Sequence, residues 1–196
     1  MRKNCLISQN IPSGRITEIF GDVDTGKSSV VLRIIAALID KICLYIDVDR
    51  DLTKQKLNEF DIQDMVTIVQ PDTLEQVIIA INSYLQHDLV DIIVIDSTAN
   101  LISEKHKDMP VNQISWKQRV ADITSLVQKL IPIIESKNII LIFVSQIRKD
   151  LQGNSYTTGG KALRFYSTVR LEISKDDIKV VKNKTDLQLT RSYDKE

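Results

Sequence analysis

Eight residues near the N-terminus carry the clearest chemical signal in the chain. Gly21, Asp22, Val23, Asp24, Thr25, Gly26, Lys27 and Ser28 read G-x-x-x-x-G-K-S, the phosphate-binding loop pattern called Walker A. Glycines at the two ends let the backbone wrap closely, so that its N–H groups point at an anion. A helix starting at the loop adds the positive end of its dipole. Lys27 is placed to reach the β and γ phosphates of ATP, and the Ser28 hydroxyl to ligate Mg²⁺, with Ser29 completing the binding set.

Other carboxylates and one amide stand at the ends of apolar runs. Ile92-Ile93-Val94-Ile95 is followed by Asp96, as in a Walker B strand, where the carboxylate holds the Mg²⁺ ion directly or through water. Asp49 follows the ICLYID run and is the candidate for orienting or deprotonating an attacking water, with Asp47 competing for the role. Gln146 ends the run IILIFVS, where a side-chain amide is placed to sense a γ-phosphate.

The elements that must position these residues alternate in type. Residues 15–20 alternate polar and apolar as a strand does, and residues 29–39 put Val30, Val31, Ile34, Ile35 and Leu38 on one helical face. Strands follow at 42–47, 65–69, 92–96 and 139–145. Helices are expected at 51–60, from a cap at Asp72 or Thr73 to about His87, and from about 113 to 136. Pro132 should kink or interrupt the last of these, and Asn138 should end it. Residues 99–112 and 153–160 read as loops, 161–166 as one or two helical turns, and 167–174 with 178–183 as a hairpin. The fold class expected is α/β: a mostly parallel twisted sheet with helices on both faces and a C-terminal antiparallel hairpin at one edge. Ligands of such sheets bind beyond the carboxyl ends of the strands, which gathers residues 21–28, Asp47, Asp49, Asp96 and Gln146 along one edge.

The totals fit that architecture. The 196 residues suffice for one α/β domain, expected to span 1–196 with a short arm at 1–14 and a tail at 185–196. A composition 43% hydrophobic and 27% charged marks a globular chain. No apolar run is long enough to span a membrane and no signal peptide opens the chain, so the cytoplasm is the expected compartment. Cys5 and Cys43, like His87 and His106, lack metal-site spacing. Residues 41–136 carry an acidic excess of six and residues 137–196 a basic excess of five, which points any anionic partner at the C-terminal third.

Seven stretches together resemble one family, the ATPase core of the RecA-type DNA strand-exchange recombinases: GRITEIFG, YIDVD, VQPDTLEQ, DIIVIDSTANL, LIFVSQIR, TTGGKALRFYSTVRLEI and KVVKNK. TTGGKALRFY and KVVKNK are not general to phosphate-loop proteins, which makes the resemblance specific. It implies a P-loop NTPase of RecA type that uses ATP and Mg²⁺, with Asp49 in the place of the catalytic glutamate. Gln146 falls on the residue that links the γ-phosphate to a single-stranded-DNA-binding loop at 147–160. DNA contacts are implied for Arg148, Lys149, Tyr156, Gly159, Gly160, Lys161 and Arg164, and residues 99–112 stand for a first DNA loop. Lys182 and Lys184 match lysines that reach a neighbouring subunit's nucleotide, and Phe165 matches an interface aromatic.

The sequence also departs from the family. Asp49 is one methylene shorter than glutamate, Lys56 stands near an adenine-stacking tyrosine, and Asp22 and Asp24 add negative charge to the phosphate loop. The family's N-terminal docking element and C-terminal domain are expected to be mostly lacking. The leading expectation is a DNA-dependent ATPase of recombination and repair that binds single-stranded DNA and associates with itself or a partner recombinase. The alternative is a nucleotide-switched accessory module with little hydrolysis and no strand exchange. A kinase on the same core lacks any sign of an acceptor pocket.

Overall fold

The first strand, β1 (Ile16–Gly21), is buried along its whole length, with β5 (Ile140–Lys149) on one side and β7 (Val169–Ile173) on the other, both parallel to it. Such a strand needs an apolar cover on each face, and the chain supplies both. A computed structural model describes residues 11–109, 115–150 and 152–185. The arm and tail expectations fall almost wholly outside these residues, as does Cys5.

From β1 the chain passes through α1 (Lys27–Ala37), β2 (Cys43–Asp47), α2 (Lys54–Glu59), β3 (Val66–Val69), α3 (Leu74–Leu85) and β4 (Ile92–Asp96). A 3-10 turn at Glu104–His106 leads to α4 (Trp116–Lys137) and β5. The short β6 (Ser155–Thr157), α5 (Gly160–Tyr166), β7 and β8 (Ile178–Asn183) complete the described order. The sheet runs β3-β2-β4-β5-β1-β7-β8, with β6 paired to the end of β5. This is the expected α/β fold: the C-terminal hairpin of β7 and β8 is antiparallel and lies at one edge, with β7 joined to β1 in parallel.

Strand residues alternate between two cores. Ile19, Tyr45, Val94, Ile142 and Val144 pack under α1 through Val30, Val31, Ile34 and Ile35. Ile16, Leu44, Ile93, Leu141 and Phe143 pack on the opposite face under α3 and α4 through Val77, Ile81, Ile123, Leu126, Leu130 and Ile134.

Two local expectations change. Pro132 does not end α4, which runs for 22 residues with the proline inside it. Proline frees the carbonyl four residues earlier. That residue is Gln128, which is exposed like Pro132 itself, so its carbonyl lies on the side of the helix open to solvent, opposite the buried stripe. Ser115 and Gln118 form a capping box at its start, and Asn138 ends it in a left-handed conformation. Thr73, not Asp72, caps α3 by accepting from the Gln76 amide.

The other change is in the segment expected to be a DNA loop. β5 does not stop at Ser145. It continues to Lys149, and Ile147, Arg148 and Lys149 pair antiparallel with Thr157, Tyr156 and Ser155. The Asp150 carboxylate closes this hairpin by accepting from the amides of Gln152 and Asn154 and from the Asn154 side chain. That same Asn154 bond is the main reason its pKa lies below the ordinary carboxylate value.

Candidate functional site

The glycine octet turns between the end of β1 and the start of α1, as its sequence requires. Gly21 has no room for a side chain, since a Cβ there would meet the Ile173 carbonyl oxygen at 2.2 Å. Gly26 sits at φ +84°, a left-handed conformation that favours glycine. No side chain caps the N-terminus of α1, so its first amides stay available to a ligand. Thr25 ties the turn together by donating to the Asp22 carbonyl at 2.9 Å, and Lys27 donates to the same oxygen at 2.5 Å.

Four groups meet at the carboxyl ends of β2 and β4. The Ser28 hydroxyl donates to Asp96 Oδ2 at 2.8 Å, and the Tyr45 hydroxyl donates to the same oxygen at 2.5 Å. Burial pushes the Asp96 carboxyl above its ordinary pKa against the pull of both bonds. Burial also lowers the Lys27 ammonium, chiefly by desolvation, although Asp96, Asp22, Asp24 and Asp49 all favour its charge. Asp49 stands across the cleft, accepting from Ser97 at 2.7 Å and Asn100 at 2.9 Å. Asp47 is occupied differently. Its two oxygens accept from the backbone amides of Asp51 and Leu52 and from the Gln70 side chain, so it pins the β2–α2 loop.

These groups line one cleft of about 480 Å³, together with Val23, Asp24, Gly26, Ser29, Gln146, Lys56 of α2 and Phe60, which caps that helix. Gly21, Asp22 and Thr25 frame the turn without lining the cleft. Among the described residues no cluster of three His, Cys, Asp or Glu side chains is arranged to hold a metal ion. The Ser28–Asp96 pair nonetheless fits Mg²⁺, a hard cation that binds through one or two protein oxygens and completes its shell with phosphate and water.

A hydroxyl knot joins this cleft to the hairpin. Thr158 Oγ1 lies 2.7 Å from Thr98 Oγ1 and accepts from the Gln146 amide at 3.0 Å, while Thr98 also donates to Ser145. The Gln146 side chain accepts from Arg148 at 2.7 Å. Beyond the knot lies a second cavity of about 680 Å³ between the hairpin, α5 and the start of α4. Tyr156, Gly160, Lys161 and Arg164 line it, as the expected DNA set would, whereas Arg148, Lys149 and Gly159 do not. Trp116, Lys117, Phe20 and Arg170 also line it and were not picked out from the sequence. The lone Trp inside the Ser-x-x-Gln capping box was a usable signal, and charged residues within the apolar runs of β1 and β7 were another.

The sequence profile of the RecA N-terminal domain matches residues 3–192. The chain belongs to the RecA family. It is 35% identical over 89% of its length to Protein RecA of Wolbachia from Brugia malayi, of which the match covers 55%. It is 33% identical over 93% of its length to Protein RecA of Cereibacter sphaeroides, covering 57% of that protein. It is also 34% identical over 89% of its length to the mitochondrial DNA repair protein recA homolog of Dictyostelium discoideum, covering 43%. The chain thus spans about half the length of the curated relatives it matches.

In this RecA-family chain the two C-terminal lysines have different surroundings. Lys182 is engaged within the chain, donating to the Arg164 and Phe165 carbonyls at the end of α5, 2.9 Å each. Burial, with Lys184 and Arg170 nearby, lowers its pKa. Lys184 has no such side-chain bond among the described residues, and neither lysine lines a cavity described above. Phe165 is 73% exposed, beside Tyr166. No helix among the described residues is long and apolar enough to cross a membrane.

Proposed function

We propose that this chain binds ATP with Mg²⁺ in the cleft and hydrolyses it in response to single-stranded DNA bound at the hairpin, as part of recombination or repair. The carrying observation is the Ser28–Asp96 contact at the start of α1, next to Lys27 and facing Asp49. Lys27 and the first amides of α1 would receive the β and γ phosphates. Ser28 and Asp96 would hold Mg²⁺, which supplies charge neutralisation at the phosphates. Asp49, held by Ser97 and Asn100, is the base that orients and deprotonates water, because the Asp47 carboxylate is already consumed by its loop. Gln146 carries the state of the cleft through Thr158 and Arg148 into the hairpin. Lys161 and Arg164 give the hairpin side a cationic edge suited to phosphates.

Self-association enters through Lys184, whose side chain has no bond among the described residues and can act on a neighbouring copy as a transition-state cation does. Lys182 suits that role less, since α5 already holds it. The test is ATP hydrolysis by the purified chain with and without single-stranded DNA, across a salt series. Stimulation that falls steeply with salt is expected. Hydrolysis unaffected by DNA at every salt concentration refutes the proposal.

A further inference from the structure

Beyond the cleft, the second cavity has a wall and a floor of distinct chemistry. Its wall is an aromatic pair drawn from two elements: Trp116 from the start of α4 and Tyr156 from β6, with ring centroids 4.4 Å apart and planes inclined by 56°. Its floor is a fixed cation. Arg170 Nε donates to the fully buried Glu18 at 2.5 Å, and its guanidinium lies 4.4 Å from the centre of the Phe20 ring. Glu18 takes only Nε, and no acceptor among the described residues takes the two terminal amines. Lys117, Lys161 and Arg164 complete the lining, and no side-chain bond among the described residues occupies them. Four cations therefore face one lining carboxylate, Glu172.

Aromatic faces beside unspent cations select a flat ring that carries an anion. A volume of about 680 Å³ lies within the range of pockets that enclose a small molecule. A paired duplex offers a base to such a recess only by breaking its pair and stack, whereas an unpaired strand turns one out at lower cost. We propose that this cavity receives one unstacked nucleotide of a single strand, its base against Trp116 and Tyr156 and its phosphates on Lys117, Lys161 and Arg164. The proposal rests on the reading of the hairpin as a single-strand site and deepens it: recognition includes an everted base and is not electrostatic alone. Arg170, immobilised by Glu18, supplies donors for the edge of that base.

The chain carries its own probe, because Trp116 is its only tryptophan. The experiment measures binding of oligothymidylate and of a fully abasic strand of equal length to the full chain, reading Trp116 emission. The expected result is quenching by oligothymidylate and roughly tenfold tighter binding than the abasic strand, the scale of one base–aromatic stack. Restoring one thymidine to the abasic strand should recover most of the difference, as one pocket requires. Tyr156→Ala should narrow the gap, while Lys161→Gln should weaken both strands alike. Equal affinity for the two strands, or a bound thymidylate strand that leaves Trp116 emission unchanged, overturns the base pocket and leaves single-strand binding standing. Failure of both strands to bind overturns the single-strand reading and the pocket with it.

Discussion

Asp47→Asn and Asp49→Asn should fail in opposite ways, and the contrast tests the whole assignment of the cleft. Asp47 is almost fully buried; one oxygen accepts from the Asp51 amide, and the other accepts from the Leu52 amide and the Gln70 side chain. Asparagine keeps one acceptor and turns the other into a donor facing these groups. Gln70 can rotate its amide to present an oxygen, but a backbone N–H cannot. One buried amide is left unpaired, at about 1–3 kcal/mol, and the remaining bonds lose their charge assistance. A total near 3 kcal/mol corresponds to a melting temperature about 6–12 °C lower for a chain of this size. Asp49 donates nothing to the core. Its partners, Ser97 and Asn100, can rebond to an asparagine or to water, so Asp49→Asn should melt within about 2 °C of the parent. Turnover should instead fall by ~10²–10⁴-fold with nucleotide affinity kept, as expected on removing a general base. Thermal melts beside steady-state hydrolysis and nucleotide titration read all three quantities. An Asp47→Asn protein that melts normally but does not turn over, next to an active Asp49→Asn, would refute the reasoning.

Four further outcomes follow from the same geometry. Lys27→Ala should abolish tight ATP binding; equal affinity in titrations of variant and parent sinks the phosphate-loop assignment. Burial holds the Asp96 carboxyl above its ordinary pKa, so the folded state binds that proton more tightly than the unfolded chain. The stability from this group is present at low pH and lost as pH rises through the folded value. Nucleotide-free Asp96→Asn should therefore melt no lower than the parent at neutral pH, with the difference shrinking on acidification, while Mg²⁺-dependent ATP binding is lost. A clear drop in its neutral-pH melting temperature counts against this. Lys184→Ala should bind nucleotide yet lose turnover that rises with protein concentration, and mixing it with Lys27→Ala should restore part. Lys182→Ala should also lower the melting temperature, by at most about 4 °C, through its bonds to the last turn of α5. Sedimentation as a monomer with concentration-independent activity would dismiss assembly.

The sheet and the cleft were legible because both rest on local rules. Apolar runs bounded by Asp47 and Asp96 had to be buried strands, and the octet between a strand and a helix had to face their ends. What could not be read depended on partners distant in sequence. Asp47 and Asp49 are alike in composition and spacing, and their partners distinguish them: Asp51, Leu52 and Gln70 for the one, Ser97 and Asn100 for the other. Residues 147–149 looked like loop because their pairing with 155–157 buries little and leaves no hydrophobic pattern. Lys182 appeared to have no role inside one chain because its acceptors are backbone carbonyls, which any sequence possesses. Trp116 gained meaning only when α4 brought it against Tyr156, forty residues later in the chain.

The ten-residue length of β5 constrains how this chain can vary. One extended strand serves the cleft at Gln146 and the hairpin from Ile147 to Lys149. Side chains alternate sides along such a strand, so inserting a single residue after Gln146 would turn every later position over and move Tyr156's pairing partner away from it. Inserting two residues in β5 and two in β6 would preserve every facing and lengthen the arm by about 7 Å. Length changes among related hairpins should therefore come in matched pairs, with odd changes confined to the turn that Asp150 closes.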